Sequence, residues 1–189
     1  MQQCPSCGRP IKFEEKYTKI ISCLYCNSIL EFGGNELTKI GEQSEFINFP
    51  SLFQVGKTIE YKGKKIEVKG QLRYEYNGGF FDKFFVVVQG KEMFIREDDG
   101  TVVFSQDGIF KESSLTLIDK EPGKYFTLSG KDIFIQEVGE FELVSMKGGV
   151  KNSLIPGKKY EYLDGMVDGK MYYFEKEQGS DMLRISQEI

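Results

Sequence analysis

The chain has 189 residues, of which 40% are hydrophobic and 29% charged, as in a globular protein with a small module beside a larger domain. Its formal net charge is −4, and its longest apolar run, residues 84–88, is far shorter than the roughly 20 residues of a membrane-spanning helix. The absence of histidine excludes Ser-His-Asp and Cys-His nucleophiles, H-E-x-x-H metalloproteases and histidine-bound catalytic zinc. We therefore expect neither membrane insertion nor these catalytic classes.

The N-terminal segment contains all the cysteines of the chain. They form a C-x2-C-x15-C-x2-C array of Cys4, Cys7, Cys23 and Cys26. This is the spacing of a four-thiolate zinc site, since two residues between paired thiols form a turn that directs both sulfurs at one metal. Gly8 and Asn27 follow the two pairs, and both residue types tolerate the positive φ of such turns. We predict a zinc ribbon over residues 1–33 with one Zn²⁺.

Two disulfides, or four unrelated thiols, are the alternatives to a metal site. No secretory signal precedes the first cysteine, and cytoplasmic thiols stay reduced, so we expect a cytoplasmic protein with bound zinc. Four cysteines complete a tetrahedron and leave no position for a water molecule, so the predicted Zn²⁺ stabilises the fold and does not catalyse.

The charge balance argues against a nucleic-acid partner. Phosphate contacts need clustered Lys and Arg, whereas a loaded Zn(Cys)4 centre would bring this chain to about −6. The few basic residues of the ribbon are explained equally well as compensation of the metal centre. We expect no binding to DNA or RNA.

A polar stretch over residues 34–50 is predicted to be a linker, with a weak helical spacing of apolar residues only from Leu37 to Ile47. From residue 51 to residue 189 apolar residues alternate with polar ones, and turn signals recur every eight to twelve positions. The clearest turns are Lys62-Gly63, Asn77-Gly78, Gln89-Gly90 and Asp99-Gly100. The pattern predicts a mainly β protein in which the ribbon precedes an antiparallel β domain.

A weak internal repeat begins at Gly56-Lys57 and again at Gly123-Lys124, with a partial third copy at Gly157-Lys158. Each copy has a strand, a glycine turn and a returning strand. Two similar lobes, residues 51–113 and 114–189, would produce this pattern. Convergence is the alternative, since Gly-Lys turns are common in lysine-rich β proteins.

Carboxylates offer the remaining route to acid-base chemistry. Four lie near one another in sequence: Asp82, Asp98, Asp99 and Asp107. Asp98-Asp99-Gly100 and Gln106-Asp107-Gly108 are also turn signals, and turn formation explains these acids better than catalysis.

Several strand motifs of this chain resemble the bacterial family called domain of unknown function 4178. The motifs are Tyr61-x-Gly63, Ile66-x-Val68-x-Gly70, Phe81-Asp82-Lys83-Phe84, Glu92–Glu97, Asp99-Gly100 and the later strand Lys170–Glu175. N-terminal zinc ribbons are frequent in such proteins. The resemblance implies a β fold and no established activity, and its members tend to be encoded near genes for membrane channels and stress proteins.

The chain has 16 Phe and 10 Tyr, which core packing explains better than a stacking platform for single-stranded nucleic acid. Two functional hypotheses follow. The favoured one is a non-catalytic interaction module that docks onto a protein partner or a membrane-associated complex, because no acid-base pair stands at a defined spacing. The alternative is an enzyme or small-ligand-binding protein with a pocket between two β-lobes, where Asp82 or Glu137 would act.

Overall fold

A computed structural model of the protein describes residues 2–106 and 108–189. Antiparallel strands dominate it, and its one helix within these residues is a 3-10 turn at Glu15–Tyr17. The strands are β1 (Gln2–Gln3), β2 (Pro10–Ile11), β3 (Ile20–Ser22), β4 (Ser28–Gly33), β5 (Glu36–Glu42), β6 (Thr58–Tyr61), β7 (Lys64–Tyr76), β8 (Gly79–Val88), β9 (Lys91–Asp98), β10 (Thr101–Gln106), β11 (Ile109–Glu112), β12 (Tyr125–Leu128), β13 (Lys131–Val150), β14 (Lys158–Val167), β15 (Lys170–Glu177) and β16 (Met182–Gln187). The predicted mainly β fold with an N-terminal four-cysteine ribbon is confirmed.

The main sheet closes into a barrel. Its strands follow the order β10-β9-β8-β7-β13-β14-β15-β16-β11, and all neighbours are antiparallel. β10 and β11 follow each other in the chain, so the two ends of this order meet. Ser105 of β10 forms a bridge with Glu188, and the Ile189 amide donates to the Phe104 carbonyl at 3.1 Å. β10 and β11 thus close the barrel together, because β10 pairs with β9 and β11 pairs with β16.

The barrel consists of two halves with the same hydrogen-bonding pattern. In the first half, the Gly56 amide donates to the Val68 carbonyl at 2.9 Å, and the Val68 amide donates to the Lys57 carbonyl at 3.0 Å. In the second half, the Gly123 amide donates to the Ile135 carbonyl at 2.8 Å, and the Ile135 amide donates to the Lys124 carbonyl at 2.9 Å. A hairpin follows each (β6-β7 and β12-β13), and each then continues as a meander of three further strands.

Both halves also have a β-bulge at the corresponding place. The register shifts between Val68 and Gly70 in β7 and between Ile135 and Glu137 in β13. A bulge adds one residue and so reverses which face the following side chains occupy. Ile135 accordingly packs on the outside of the barrel, whereas Glu137 lines its interior.

Each half covers its outer face with a separate apolar cluster. The cluster of the first half contains Phe53, Ile66, Val68, Phe84, Val86, Val88, Met93 and Ile95. That of the second contains Leu117, Ile133, Ile135, Leu163, Val167, Phe174 and Leu183. Part of the interior is filled by a third cluster, to which both halves contribute, for example Tyr74, Phe81, Phe141 and Tyr160.

The N-terminal module is joined to the barrel more closely than its sequence indicates. β3 pairs with β4 and also with the far end of β13, where Ile20 faces Val150. Ile20 and Ile29 belong to the same buried cluster as Leu72 and Met146 of the barrel. The two regions therefore share a core, in contrast to the separation that the predicted linker implied.

Residues 34–50 differ from the predicted linker in their first part. β5 extends the ribbon sheet through Glu42, and the weak helical spacing from Leu37 to Ile47 does not form a helix. The remainder is fastened to the barrel, since the Gln43 side chain donates to the Met146 carbonyl at 2.6 Å and accepts from its amide at 2.8 Å. Pairing with β4 and these contacts outweigh the weak local preference of the segment.

Candidate functional site

The four cysteines form a compact cluster at the tips of two turns. Cys4 Sγ lies 3.8 Å from Cys26 Sγ, Cys7 Sγ lies 3.7 Å from Cys23 Sγ, and all four sulfurs lie within 4.8 Å of one another. Four sulfurs about 2.3 Å from a tetrahedral metal would be about 3.8 Å apart, so the arrangement fits one metal ion.

Matching backbone hydrogen bonds shape the two turns. In the first turn, the Cys4 amide donates to the Arg9 carbonyl and the Gly8 amide donates to the Cys4 carbonyl, at 2.8 and 2.9 Å. In the second turn, the Cys23 amide donates to the Ser28 carbonyl and the Asn27 amide donates to the Cys23 carbonyl, both at 2.9 Å. Gly8 and Asn27 have φ of 71° and 57°, which confirms the positive φ predicted for both. This geometry directs each pair of thiols to one point.

The thiols differ in acidity when no metal is bound. Hydrogen bonding by Ser28, whose hydroxyl lies 3.3 Å from Cys26 Sγ, lowers the pKa of Cys26 to about 6. Burial raises the pKa of Cys23 to about 12. A bound cation would favour the thiolate form at all four positions.

A second candidate site lies inside the barrel, where a cavity of about 210 Å³ is lined by strands from both halves. Seven charged residues line it: Lys83, Arg96, Asp98, Glu137, Asp164, Glu175 and Arg184. The aromatic lining consists of Tyr76, Phe81, Phe94, Phe141, Tyr162 and Tyr173. Charged side chains inside a barrel are costly unless they are paired, so their pairing decides what the cavity can bind.

At the enclosed end of the cavity the Glu175 carboxylate contacts two cations, Lys83 and Arg184. Lys83 Nζ donates to Glu175 Oε1, and Arg184 Nη1 lies 3.5 Å from Glu175 Oε2. The three side chains are between 5% and 12% exposed. Burial, together with the nearby positive charges of Arg184 and Arg96, lowers the pKa of Lys83 well below its usual value.

Towards the open end the charges are more exposed and more acidic. Arg96 donates to Asp98 at 2.8 Å and lies 3.5 Å from Asp164. Burial raises the pKa of Asp164 to about 6, against the opposing effect of Arg96. Glu137, at the exposed rim, accepts a hydrogen bond of 2.5 Å from the Tyr162 hydroxyl. The cavity is thus basic at its enclosed end and acidic at its rim.

The cations of the cavity lie over aromatic rings. The guanidinium carbon of Arg96 is 4.4 Å from the Phe81 ring centroid, and that of Arg184 is 4.3 Å from the Phe94 centroid. Lys83 Nζ lies 5.3, 5.8 and 5.6 Å from the ring centroids of Tyr74, Phe81 and Phe141. These contacts stabilise the positive charges in an enclosed space.

The carboxylates singled out in the sequence lie in different places. Asp98 and Glu137 line the cavity, and Asp99 is in the β9-β10 turn with φ of 43°. Asp82 lies outside the barrel, where Arg73 donates to both its carboxylate oxygens at 2.9 and 2.8 Å. Asp107 is outside the described residues.

Sequence reasoning missed Lys83, Asp164, Glu175 and Arg184. Phe81-Asp82-Lys83-Phe84 carries a signal, since Asp82 and Lys83 interrupt an otherwise apolar run from Phe80 to Val88. Tyr172 and Tyr173 are neighbours in β15 and face opposite sides of the strand, since Tyr172 packs on the outer cluster and Tyr173 lines the cavity.

No family model, curated protein or solved structure matches the chain. The resemblance to domain of unknown function 4178 therefore stays a prediction. Within residues 2–106 and 108–189, no helix has the length and apolar character needed to cross a membrane.

Proposed function

We propose that this protein binds a small organic molecule inside its barrel, and that the four cysteines hold a structural Zn²⁺. One observation carries the first proposal, namely the interior cavity in which charged and aromatic side chains from both halves converge. Enclosed cavities with apolar walls and a few polar groups are typical ligand sites. This geometry supports the hypothesis of a ligand pocket between two lobes.

The size and charge of the cavity define the ligand. A dry cavity of about 150 Å³ takes one benzene molecule, so about 210 Å³ suits a ligand of about ten non-hydrogen atoms. Three cations line the cavity, and two of them, Lys83 and Arg184, lie at the enclosed end beside Glu175, the most buried carboxylate of the lining. A ligand with one anionic or strongly accepting group and an aromatic or aliphatic body matches this arrangement.

Benzoate, benzylamine and benzyl alcohol test the proposal, because they share a ring and differ in charge. We expect benzoate to bind most tightly and to shift the backbone NMR signals of Phe94, Ser105 and Ser186. Ser186→Phe should fill the cavity and abolish these shifts. Ser114→Phe, at an exposed position outside the cavity, is the matched control. Equal shifts in wild type and Ser186→Phe, or none with any of the three compounds, would contradict the proposal.

Zinc is the metal that best suits four thiolates in a tetrahedron. The closed donor set gives this ion a structural role. Elemental analysis of protein purified without chelator should show one zinc per chain, and a value near zero would contradict this assignment. Docking onto a protein partner or a membrane-associated complex, which the sequence favours, stays a prediction.

A further inference from the structure

Lys83 is the one lysine that lines the barrel cavity within the described residues. Most lysines of the chain extend into water, where they are protonated at neutral pH. The side chain of Lys83 is only 12% exposed, and it reaches the enclosed end of a cavity large enough to admit a small molecule. Its amine could therefore meet a bound ligand away from bulk water.

Burial, and after it the positive charges of Arg184 and Arg96, favour the neutral form of Lys83. From β15 and β16 it faces Glu175 and Arg184, from β9 Arg96, and from β14 Asp164. Glu175 contacts both Lys83 and Arg184. Arg96 is itself paired with Asp98. Because the Lys83 side chain is only 12% exposed and lies in the cavity beside two cations, it can release its proton there.

A neutral amine in an enclosed pocket beside other cations is a typical nucleophile towards carbonyl compounds. We propose that Lys83 forms an imine with an aldehyde or ketone that carries an anionic group and binds in the barrel cavity. This inference rests on the proposed ligand site and adds the reactive group of the ligand. Arg96 and Arg184 would hold the anionic group, and the rings of Phe81 and Phe94 would contact the body of the ligand.

The chemistry balances with the groups that are present. Glu175 accepts a proton from the Lys83 ammonium, and the free amine attacks the carbonyl carbon to form a carbinolamine. The neutral Glu175 carboxyl then protonates the carbinolamine oxygen, which leaves as water while the nitrogen lone pair forms the C=N bond. Overall, one ammonium group and one carbonyl group give one protonated imine and one water, and Glu175 returns to its ionised form. No oxidant or reductant takes part.

The probe is 4-carboxybenzaldehyde at pH 7 with sodium cyanoborohydride, which reduces an imine to a stable secondary amine. Peptide mapping of the folded full-length protein should show Lys83 modified at least about tenfold faster than the exposed Lys91, since each unit by which a lysine pKa is lowered raises its neutral fraction about tenfold. Lys83→Met should lose this adduct and keep the slow labelling of Lys91. If that variant does not fold, the labelling rates of Lys83 and Lys91 in the wild-type protein test the proposal by themselves.

A non-reactive analogue separates this inference from the proposed function. The alcohol 4-(hydroxymethyl)benzoate has the same carboxylate and ring but cannot form an imine. If it binds in the cavity and Lys83 is labelled no faster than Lys91, the imine proposal is wrong and the ligand site stands. If the alcohol does not bind and Lys83 is not selectively labelled, both proposals fail. Selective labelling of Lys83 supports the inference.

Discussion

The two halves of the barrel have similar outer faces and different inner faces. The turns Gln89-Gly90 and Asp168-Gly169 correspond, and all four of these residues have positive φ. Counted from these turns, the outward Ile95 corresponds to Phe174, and both are buried apolar residues. Both outer faces pack against a covering strand and loop, so both need buried apolar residues.

On the inner faces some corresponding residues are alike, such as Phe94 and Tyr173, but the charged positions differ. Lys83 corresponds to Tyr162 and Arg96 to Glu175, while Phe85 corresponds to Asp164. The first half thus supplies two cations that pair with carboxylates of the second, as in Lys83–Glu175 and Arg96–Asp164, and Arg96 also pairs with Asp98 of its own half. A fold that needed only a filled interior would place apolar residues in both halves. The charged inner positions therefore support the proposed ligand site in the interior.

The largest effect is expected from loss of the proposed metal ion, which tests whether the two halves and the N-terminal module form one cooperative unit. Cys23→Ser removes a buried ligand, and structural zinc contributes on the order of 10 kcal/mol in small zinc peptides. Because Ile20 and Ile29 share a core with the barrel, we expect a single thermal transition at a much lower temperature. Ser6→Ala, at an exposed position between the two cysteines of the other turn, is the control. An unchanged barrel transition would show that the cores are independent.

The inner-face pairing is tested by Glu175→Gln, which leaves Lys83 and Arg184 buried without their shared carboxylate. Removing one partner of a buried ion pair costs about 3–5 kcal/mol. Glu177→Gln is the matched control, since Glu177 pairs with the half-exposed Lys158 and such pairs contribute at most about 1 kcal/mol. Urea denaturation measures both. Similar losses for the two variants would contradict the assigned role of Glu175.

The likeness of the outer faces is tested by Ile66→Ala and Ile133→Ala, which remove the same side chain at corresponding buried positions of β7 and β13. Each should lower the free energy of unfolding by about 2–5 kcal/mol. We expect the two losses to agree within about 1 kcal/mol, and the double variant to lose about their sum, since the two clusters are separate. Clearly unequal losses would mean that the halves are not equivalent in packing.

The smallest effect concerns Asp164, whose pKa is raised to about 6 mainly by burial. The folded protein holds this proton more tightly than the unfolded chain, so the Asp164 contribution to stability falls as the pH rises from about 4 to about 6. Asp164→Asn should therefore be more stable than wild type at pH 7 by about 1–3 kcal/mol and nearly equal to it at pH 4. Urea denaturation across this range measures the difference. Asp168→Asn, in an exposed turn, should follow the wild-type profile, and a parallel profile for Asp164→Asn would contradict the assignment.

The sequence determined those elements that depend only on interactions between residues close together in the chain. The cysteine spacing and the positive-φ residues Gly8 and Asn27 define the metal cluster without help from the rest of the chain. Alternating apolar residues and glycine turns likewise predict the hairpins, since a strand with one covered face must alternate. The corresponding starts at Gly56 and Gly123 indicate the repeat.

Only the tertiary structure decided what the strands enclose. Barrel closure through Ser105 and Glu188, and the pairing of β3 with β13, join residues far apart in sequence, which no local pattern specifies. The bulge between Ile135 and Glu137 reverses which side chains face inward, so alternation alone could not place Glu137 in the cavity. Lys83 and Glu175 meet because β8 and β15 contribute to one interior, and their chemistry depends on a burial that the sequence does not show.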